Sequence, residues 1–402
     1  MSITMITITQ ARERVSDAMT PLDAESIAVD DALDRVLARD VRAAGDVPPF
    51  PSSAMDGYAV VAGAEGQTLT VVGESRAGTP TARRLHDGEA IRISTGAAVP
   101  PGATAVIPQE NVVADGGQTI ETAGPVAPGE NIRDVGEDMR ADTTVLSAGT
   151  PLGPVQLGAA VAAGVGTLTV ARRPRVTVLC TGDELRAPGE PLGPGEIHNS
   201  NAPMLTGLAT HAGALTGPAQ RLPDDHAATE AGIAAALAQS DVVIITGGVS
   251  VGPHDHVKPA LSALGVEELF WSVALQPGKP TWFGALPGGP LVFGLPGNPV
   301  SAVVTFSLFV SPALAGLQGG PAPRPPRPDA QLGVDVRRNP RRDQAMRVRL
   351  EFPDGPALAF PTGAQGSHIL SSLLGADALA IIPTGEGRLP AGTTVALAAL
   401  AR

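Results

Sequence analysis

The chain has 402 residues, which at about 100–200 residues per domain is enough for roughly two to four domains. Hydrophobic residues make up 43% and charged residues 17%, a globular composition, and the formal net charge is −12. This acidic balance argues against nucleic acid or an anionic membrane as a partner, because both need a basic surface. The single cysteine, Cys180, excludes an intrachain disulfide and a cysteine-ligated zinc site.

The N-terminal third is predicted to be helical first and then β-rich. The N-terminus, MSITMITITQARER, lacks the apolar stretch and cleavage site of a signal peptide, so we expect a cytoplasmic protein. Residues 6–43 predict two helical pieces, ITQARERVSDAM and DDALDRVLARDV. From about residue 45 to 140, short segments such as TLTVVG and EAIRIST alternate with Gly and Pro, which predicts a small β domain. A loop and then a helix follow in SAGTPLGPVQLGAAVAAG.

From Pro174 onward, strands and helices alternate. The short apolar runs VTVLCTG, DVVIITGG and PLVFGLPG predict buried strands, separated by helical segments. This alternation over residues 174–320 predicts an α/β domain with a largely parallel sheet. The proline-rich segment 319–328 is typical of a stiff linker. Beyond it, RVRLEFPDGPALAF predicts a hairpin in a small β-barrel or sandwich.

Three loops at the ends of the predicted α/β strands are candidates for ligand binding, namely 181–184 (TGDE), 247–252 (GGVSVG) and 295–299 (LPGNP). Ligands in open α/β sheets bind beyond the carboxyl ends of the strands. The glycines of the second and third loops let a phosphate approach the backbone, and Asn298 with Pro299 predicts a helix start there. The alternative is that Gly-Gly and Pro-Gly form ordinary turns.

Acidic residues accompany these loops. Glu184, Asp224 and Asp255 lie beside the predicted phosphate loops, a pattern that suits Mg²⁺, which combines one or two carboxylates with phosphate oxygens. Asp224-Asp225 has an alternative interpretation as a helix cap. His254 and His256 are compatible with zinc but more typical of solvated loop histidines.

Outside the α/β domain, the residues alone give weaker signals. Asp56-Gly57 within SSAMDGYAV is typical of a turn, and the segments around Thr95 and Asp138 are equally ambiguous. Arg347 and the run 365–368 (QGSH) combine a guanidinium, a glycine loop and a hydroxyl, which suits an anion.

Together, eight segments resemble the MoeA family of molybdopterin molybdenumtransferases, to which the E domain of gephyrin belongs. In chain order they are SSAMDGYAV (52–60), STGAAVPPG (94–102), NIRDVGEDM (131–139), TGDEL (181–185), TGGVSVGPHD (246–255), QPGKP (276–280), LPGNPVSA (295–302) and QGSHILSS (365–372). The resemblance covers nearly the whole chain, and SAMDGYA and LPGNPVS are its most specific parts.

The resemblance implies a multidomain α/β fold with an L-shaped subunit in four parts. These are an elongated helical region (1–44 and 141–173), an inserted β domain (45–140), a molybdopterin-binding α/β domain (174–320) and a C-terminal β-barrel (321–402). It also implies a homodimer, whose active cleft lies between the α/β domain of one subunit and the inserted domain of the other.

The reaction implied by the resemblance is the last step of molybdenum cofactor biosynthesis. Adenylylated molybdopterin, supplied by a molybdopterin adenylyltransferase, is cleaved with release of AMP, and molybdenum from molybdate is inserted. Two alternatives remain: adenylylation of molybdopterin by this chain itself, and a non-catalytic scaffold like gephyrin. The sequence does not separate molybdate from tungstate.

The resemblance also assigns the site residues. Pterin and phosphate binding falls to Gly247, Gly248, Ser250, Gly252, Gly297, Asn298 and Ser301. Mg²⁺ falls to Glu184, Asp224 and Asp255, and molybdate to Lys279, Arg347 and Ser367. Asp56, Thr95 and Asp138 are expected as cross-subunit active-site residues. Gln276 and Ser272 lie at positions where some relatives carry Lys. The loss of positive charge there is expected to weaken oxyanion binding or to leave that role to Lys279 and Arg347.

Overall fold

The computed structural model describes residues 5–115, 118–248 and 256–401. A seven-stranded mixed sheet forms the centre of the α/β domain. In sheet order its main path is Leu215–Thr216, Arg175–Thr181, Val242–Thr246, Leu291–Leu295, Trp282–Ala285 and Glu267–Trp271, and Gln220–Leu222 also pairs with Arg175–Thr181. Alternate residues of the central strands enter different cores. Val242 and Ile244 lie in one core, and Val243 and Ile245 in the other, which explains why the strand is apolar throughout.

Helices cover both faces of this sheet. Asn201–His211 and the long segment Pro299–Leu317 pack on one face, while His226–Gln239 and Val257–Ala263 pack on the other. Helix Ile8–Asp17, expected within the elongated region, instead packs into the first of these cores through Ile8, Ala11 and Val15.

The sheet is parallel in its first part only. Strands Trp282–Ala285 and Glu267–Trp271 run antiparallel to their neighbours. A short turn, in which Leu286 N donates to the Pro290 carbonyl, joins Trp282–Ala285 directly to Leu291–Leu295. A connection that short permits only an antiparallel pair, because parallel strands need a long crossover.

The Pro299–Leu317 segment is a core helix. It consists of helix Pro299–Thr305, a π-helical stretch Phe306–Val310 and helix Ser311–Leu317. By length and composition it could cross a membrane, but 83% of its most apolar window is buried inside the protein. A helix that is apolar on all sides and covered on all sides belongs to the core of a large domain.

The inserted domain is built on a six-stranded sheet and a short ribbon. The sheet order is Ala105–Pro108, Gly57–Val60, Glu89–Ile93, Thr68–Ser75, Thr119–Thr122 and Val112–Asp115. Beside it, strand Ser52–Ser53 pairs with Ile132–Arg133, and a bridge joins Val47 to Met139. A 3₁₀ turn spans Gln109–Asn111. The predicted β character of this part is confirmed.

Residues 24–44 and 141–171 form a small unit with one shared core. Strand Ala24–Ala28 pairs with Thr167–Ala171, Val41–Arg42 pairs with Thr144–Leu146, and helix Pro154–Ala162 packs beside them. The predicted helix over DDALDRVLARDV is wrong. A 3₁₀ turn at Val29–Asp31 is followed by a second turn and two isolated bridges, and the amides of Asp34, Leu37 and Ala38 donate to the carbonyls of residues 152, 150 and 169 instead of within a helix.

The C-terminal region is a closed β-barrel. Its strands close in the order Asp343–Glu351, Leu358–Pro361, Asp329–Leu332, Thr394–Ala399 and Ala378–Ile382, and the last pairs with the first. The predicted hairpin Asp343–Glu351/Leu358–Pro361 is confirmed. The remaining short elements are the pairs Val336–Arg337/Arg388–Leu389 and Leu185–Arg186/Ile197–His198, and the 3₁₀ turn Leu370–Leu373. Strand Leu275–Gln276 of the α/β domain pairs with Asp343–Glu351, which attaches the barrel to that domain.

Candidate active site

The three predicted loops 181–184, 247–252 and 295–299, here called the strand-end loops, follow strands whose carboxyl ends lie at the same edge of the sheet. Gly247 and Gly248 follow strand Val242–Thr246 with positive φ angles of 86° and 60°. A Cβ on Gly247 would lie 2.7 Å from the Thr181 carbonyl oxygen, and one on Gly297 would lie 3.8 Å from Gly247 Cα. The ends of three strands are therefore in contact here, and only glycine fits at 247. The predicted Ser250, Gly252 and Asp255 lie outside the described residues, as does His254.

Carboxylates lie at the same edge. Asp225 caps helix His226–Gln239 through Ala228 N at 2.8 Å, so Asp224 is not the cap. Asp224 instead faces Asp183: each backbone N–H donates to the other's carboxylate, at 3.3 and 3.4 Å. Glu184 is exposed and its carboxylate lies directly over Gly182. Asp183 lies in the predicted loop 181–184, but the sequence analysis assigned it no role, although its place directly after the strand was a signal.

A loop of the barrel reaches the third strand-end loop. Asn298 Nδ2 donates to Ser367 Oγ at 3.1 Å, and Val300 N donates to the Ser367 carbonyl at 3.2 Å. The structure thus brings together two predicted site residues that are 69 positions apart. Ser301, by contrast, is 3% exposed and lies within the core helix.

Arg347 lies on the outer face of the barrel wall, where the segment 364–372 that carries Ser367 covers it, while its strand neighbours Met346 and Val348 face the barrel core. It is 1% exposed, and burial lowers the pKa of its guanidinium to about 10. Its Nε donates to Ser372 Oγ at 3.1 Å and its Nη2 to the Gly366 carbonyl at 3.3 Å. Gln365 Oε1 accepts from Arg347 N at 2.9 Å. No carboxylate forms an ion pair with Arg347 among the residues that the structure describes, so a cationic centre stands next to the loop that carries Ser367.

Lys279 lies in another loop, which contacts the core helix further along its length. It is exposed, and its carbonyl accepts from Val273 N at 3.0 Å. The loop packs against Thr305 of the core helix at Gly278. Gln276 is not a free side chain, because its Oε1 accepts a hydrogen bond from Asn339 Nδ2 of the barrel. Ser272 is buried, and its hydroxyl has no hydrogen-bond partner in the described chain.

The inserted domain contributes a second cluster. Asp56 Oδ1 accepts from Thr95 N at 2.7 Å and from Thr95 Oγ1 at 3.1 Å, and both residues are exposed. The structure therefore joins two predicted residues 39 positions apart. Asp138 lies elsewhere: its backbone N donates to the Val47 carbonyl, at the opposite end of the ribbon from Asp56.

Comparisons with known proteins agree with these features. Residues 6–164 match the MoeA N-terminal region (domains I and II), and 329–400 match the MoeA C-terminal region (domain IV). Residues 177–316 match a probable molybdopterin-binding domain. A molybdopterin molybdenumtransferase from Haemophilus influenzae is 36% identical over 398 residues, which cover 98% of each chain. The chain belongs to the MoeA family.

Other members of the MoeA family support the same assignment. Molybdopterin molybdenumtransferase 2 from Mycobacterium tuberculosis is 39% identical over 373 residues, 89% of this chain and 90% of the relative. The crystal structure of the molybdopterin biosynthesis MoeA protein from Pyrococcus horikoshii superposes with a TM-score of 0.83 at 31% identity, covering 98% of this chain and all of that one. The MoeA-like multidomain α/β fold with a C-terminal barrel is confirmed.

Proposed function

We propose that this MoeA-family chain inserts molybdenum from molybdate into adenylylated molybdopterin, with release of AMP. The observation that carries the proposal is the contact between Asn298 and Ser367. It joins a phosphate-type loop of the α/β domain to the barrel loop held by Arg347. A site that must bind a pyrophosphate and a separate oxyanion needs both kinds of loop side by side.

The strand-end loops would bind the molybdopterin and AMP phosphates. Gly247 and Gly248 are packed against Thr181 and Val257, and we propose that the backbone amides of their turn bind a phosphate. Gly297 and Asn298 are exposed, so their backbone and the Asn298 amide would face the ligand directly. We propose that Ser250 and Gly252 extend this surface. Ser301 is buried, so its contribution would be to the core helix on which the loop rests.

Mg²⁺ suits the carboxylates of this edge. Asp224 and Glu184 are exposed, and Asp224 keeps oxygen lone pairs beyond its contact with Asp183 N. We propose that Asp224, Glu184 and Asp255 hold the ion, which would neutralise charge on the pyrophosphate. The chain's own residues orient that linkage between the glycine loops and the carboxylates.

The molybdate site would lie at the start of the core helix. Lys279 and Ser367 are available for direct contact, whereas Arg347 is covered and acts through its charge and its hold on Gly366. A buried guanidinium without a carboxylate partner in the described chain favours a bound oxyanion, which compensates its charge. Tungstate has the same charge and shape, and we expect it to compete.

The inserted domain would complete the site of a second subunit. The support for this is that Asp56 and Thr95 form one exposed cluster, which no described hydrogen bond joins to the strand-end loops of its own chain. We propose a homodimer in which Asp56, Thr95 and Asp138 of one subunit face the strand-end loops of the other. We also propose the four-part division given above, with helix Ile8–Asp17 reassigned to the α/β domain, a cytoplasmic location, and a molybdopterin adenylyltransferase as substrate donor.

The experiment is incubation of the pure protein with adenylylated molybdopterin, Mg²⁺ and molybdate, followed by assay of AMP and of cofactor transfer to an apo-molybdoenzyme. Molybdate-dependent AMP release with reconstitution is expected. No AMP release from the folded protein would overturn the proposal. The adenylyltransferase alternative predicts ATP-dependent adenylylation instead, and it is not favoured because the chain carries both MoeA regions besides the molybdopterin-binding domain.

A further inference from the structure

Asn201 is buried beside the strand-end loops and bonds to two of them. The residue opens helix Asn201–His211 and is 8% exposed. Its Nδ2 donates to Thr246 Oγ1 at 2.9 Å and to the Gly297 carbonyl at 2.8 Å. One side-chain amide therefore ties the start of a helix to the exits of two neighbouring strands.

A hydroxyl relay extends these bonds. Thr246 is itself 2% exposed, and its Oγ1 accepts from Asn201 and donates to the Pro296 carbonyl at 3.2 Å. Gly247 N donates to the Leu295 carbonyl at 3.3 Å. The two loops proposed to hold the substrate phosphates are thus joined to each other, with Asn201 at the centre of the network.

The oxygen of the Asn201 side chain, Oδ1, makes an unfavourable contribution to the stability of the fold. Asn201 Oδ1 is buried and has no hydrogen-bond partner in the part of the chain that the structure describes. A buried acceptor without a donor destabilises a fold, and an apolar side chain would avoid that cost. The benefit of asparagine here lies in its two donated bonds, and both end at the candidate site.

We propose that Asn201 is a positioning residue, which holds the Gly247-Gly248 turn and the Pro296–Asn298 turn in the geometry that the pyrophosphate requires. This inference rests on the proposed function. Loops fixed before the substrate arrives need no rearrangement at the moment of reaction. Because Asn201 acts through the loops, its loss is expected to lower kcat more than it raises KM.

The test compares Asn201→Ala with Asn199→Ala. Asn199 lies two positions earlier, and its Oδ1 accepts from Ala202 N at 3.1 Å in the first turn of the same helix. Its side chain also hydrogen-bonds the Cys180 thiol in strand Arg175–Thr181, but no described bond reaches the Gly247-Gly248 turn or the Pro296–Asn298 turn. Asn199→Ala therefore removes support from the helix start and leaves the loops tied together.

For Asn201→Ala we expect kcat for molybdate-dependent AMP release to fall about 10- to 100-fold, with KM for adenylylated molybdopterin changing less than about threefold. Asn199→Ala should keep kcat within about twofold although its Tm falls. A wild-type kcat in Asn201→Ala overturns the inference. Equal losses of kcat in both variants, at equal concentrations of folded protein, also overturn it.

The Thr246→Val variant tests the positioning role of Asn201 independently. Valine keeps the shape of threonine and removes the hydroxyl that relays the Asn201 bond to Pro296. We expect kcat to fall about 5- to 20-fold, and this variant decides the matter if Asn201→Ala does not fold. An unchanged kcat contradicts the positioning role. Wild-type protein that releases no AMP overturns the proposed function and this inference together, whereas active wild type with fully active variants overturns the inference alone.

Discussion

At the scale of the residue, the candidate site depends on backbone positions that admit no side chain. Gly247 combines a left-handed φ of 86° with the Thr181 carbonyl 2.7 Å from where a Cβ would lie. Either feature alone disfavours an L-residue, and together they leave no room for adjustment. Position 247 therefore requires glycine for two reasons: the backbone is left-handed, and the Thr181 carbonyl occupies the place of a Cβ.

Gly247→Ala should therefore destabilise the protein by at least about 2 kcal/mol and abolish molybdate-dependent AMP release. The measurements are thermal unfolding and the AMP assay. Gly217→Ala is the matched control, because Gly217 is exposed, has no positive φ and has nothing within 4 Å of a built Cβ. It should be neutral or slightly stabilising. An active, stable Gly247→Ala variant would contradict the close contact.

Gln276 is the second residue with a clear consequence. Its Oε1 accepts a hydrogen bond from Asn339 Nδ2. Two uncharged amide side chains therefore join the α/β domain to the barrel at this position. No positive charge is present at 276, and of the residues assigned to molybdate only Lys279 offers an exposed one.

Gln276→Lys should lower the KM for molybdate about 3- to 10-fold at low ionic strength, because a second cation attracts the dianion. The gain should shrink in about 0.5 M salt, since screening weakens it. Gln276→Lys both adds a charge and removes the hydrogen bond to Asn339. Gln276→Met removes that hydrogen bond without adding charge, so it is the control for the effect of the added charge. Equal KM values for the Lys and Met variants would refute the electrostatic explanation.

At the scale of the element, sequence patterns predicted secondary structure and burial where these depend only on residues within the same segment. The run VTVLC is apolar because alternate residues of strand Arg175–Thr181 enter the two cores, and both strand and burial followed from it. The segment 30–41 has helical spacing, yet the amides of Asp34, Leu37 and Ala38 donate to carbonyls more than 100 positions away, at residues 152, 150 and 169. The pairs Asp183–Asp224, Asn298–Ser367 and Asp56–Thr95 are equally non-local. No local pattern contains these pairs. Only the family resemblance indicated that Asn298 and Ser367, and Asp56 and Thr95, would share a site, and it did not assign Asp183.

Asp241 joins the α/β domain to the end of the small unit formed by residues 24–44 and 141–171, through ion pairs with Arg172 and Arg175. Arg172, at the end of strand Thr167–Ala171, donates to both oxygens of Asp241 at 2.6 and 2.7 Å, and Arg175 N donates to Asp241 at 2.7 Å. Burial alone would raise the pKa of Asp241. The hydrogen bonds from Arg172 and Arg175 outweigh burial and hold this pKa below its usual range.

Asp241→Asn should lower stability by about 1.5–3 kcal/mol at neutral pH, seen as a lower Tm. Because the pKa of Asp241 is lower in the folded protein than in the unfolded chain, the carboxylate stabilises the fold above the unfolded pKa of about 4. That contribution is lost as the pH falls through the folded pKa. The Tm difference between wild type and variant should therefore shrink below about pH 4, and a constant difference would contradict the assignment. Glu74→Gln, in the exposed pair with Arg76, should leave Tm unchanged.

At the scale of the whole molecule, the two clusters of predicted site residues stand apart within one chain. The barrel is tied to the α/β domain by strand pairing at Leu275–Gln276 and by the Asn298–Ser367 bond. In the part of the chain that the structure describes, no hydrogen bond joins Asp56 or Thr95 to the strand-end loops. The proposed homodimer would bring the two clusters together across its interface, and a symmetric dimer would form the same combined site twice.

Subunit mixing tests this arrangement directly. Asp56→Ala removes the inserted-domain cluster, and Asp224→Ala removes the strand-end cluster, so each homodimer should be inactive. After random exchange of subunits in an equal mixture, about half the dimers are mixed, and each mixed dimer has one intact site and one doubly damaged site. We expect recovery of about a quarter of wild-type AMP release. A mixture of Asp56→Ala with Thr95→Ala, which damage the same cluster, should recover nothing. No recovery in the first mixture, with exchange verified by differently tagged subunits, would show that each chain builds its site alone.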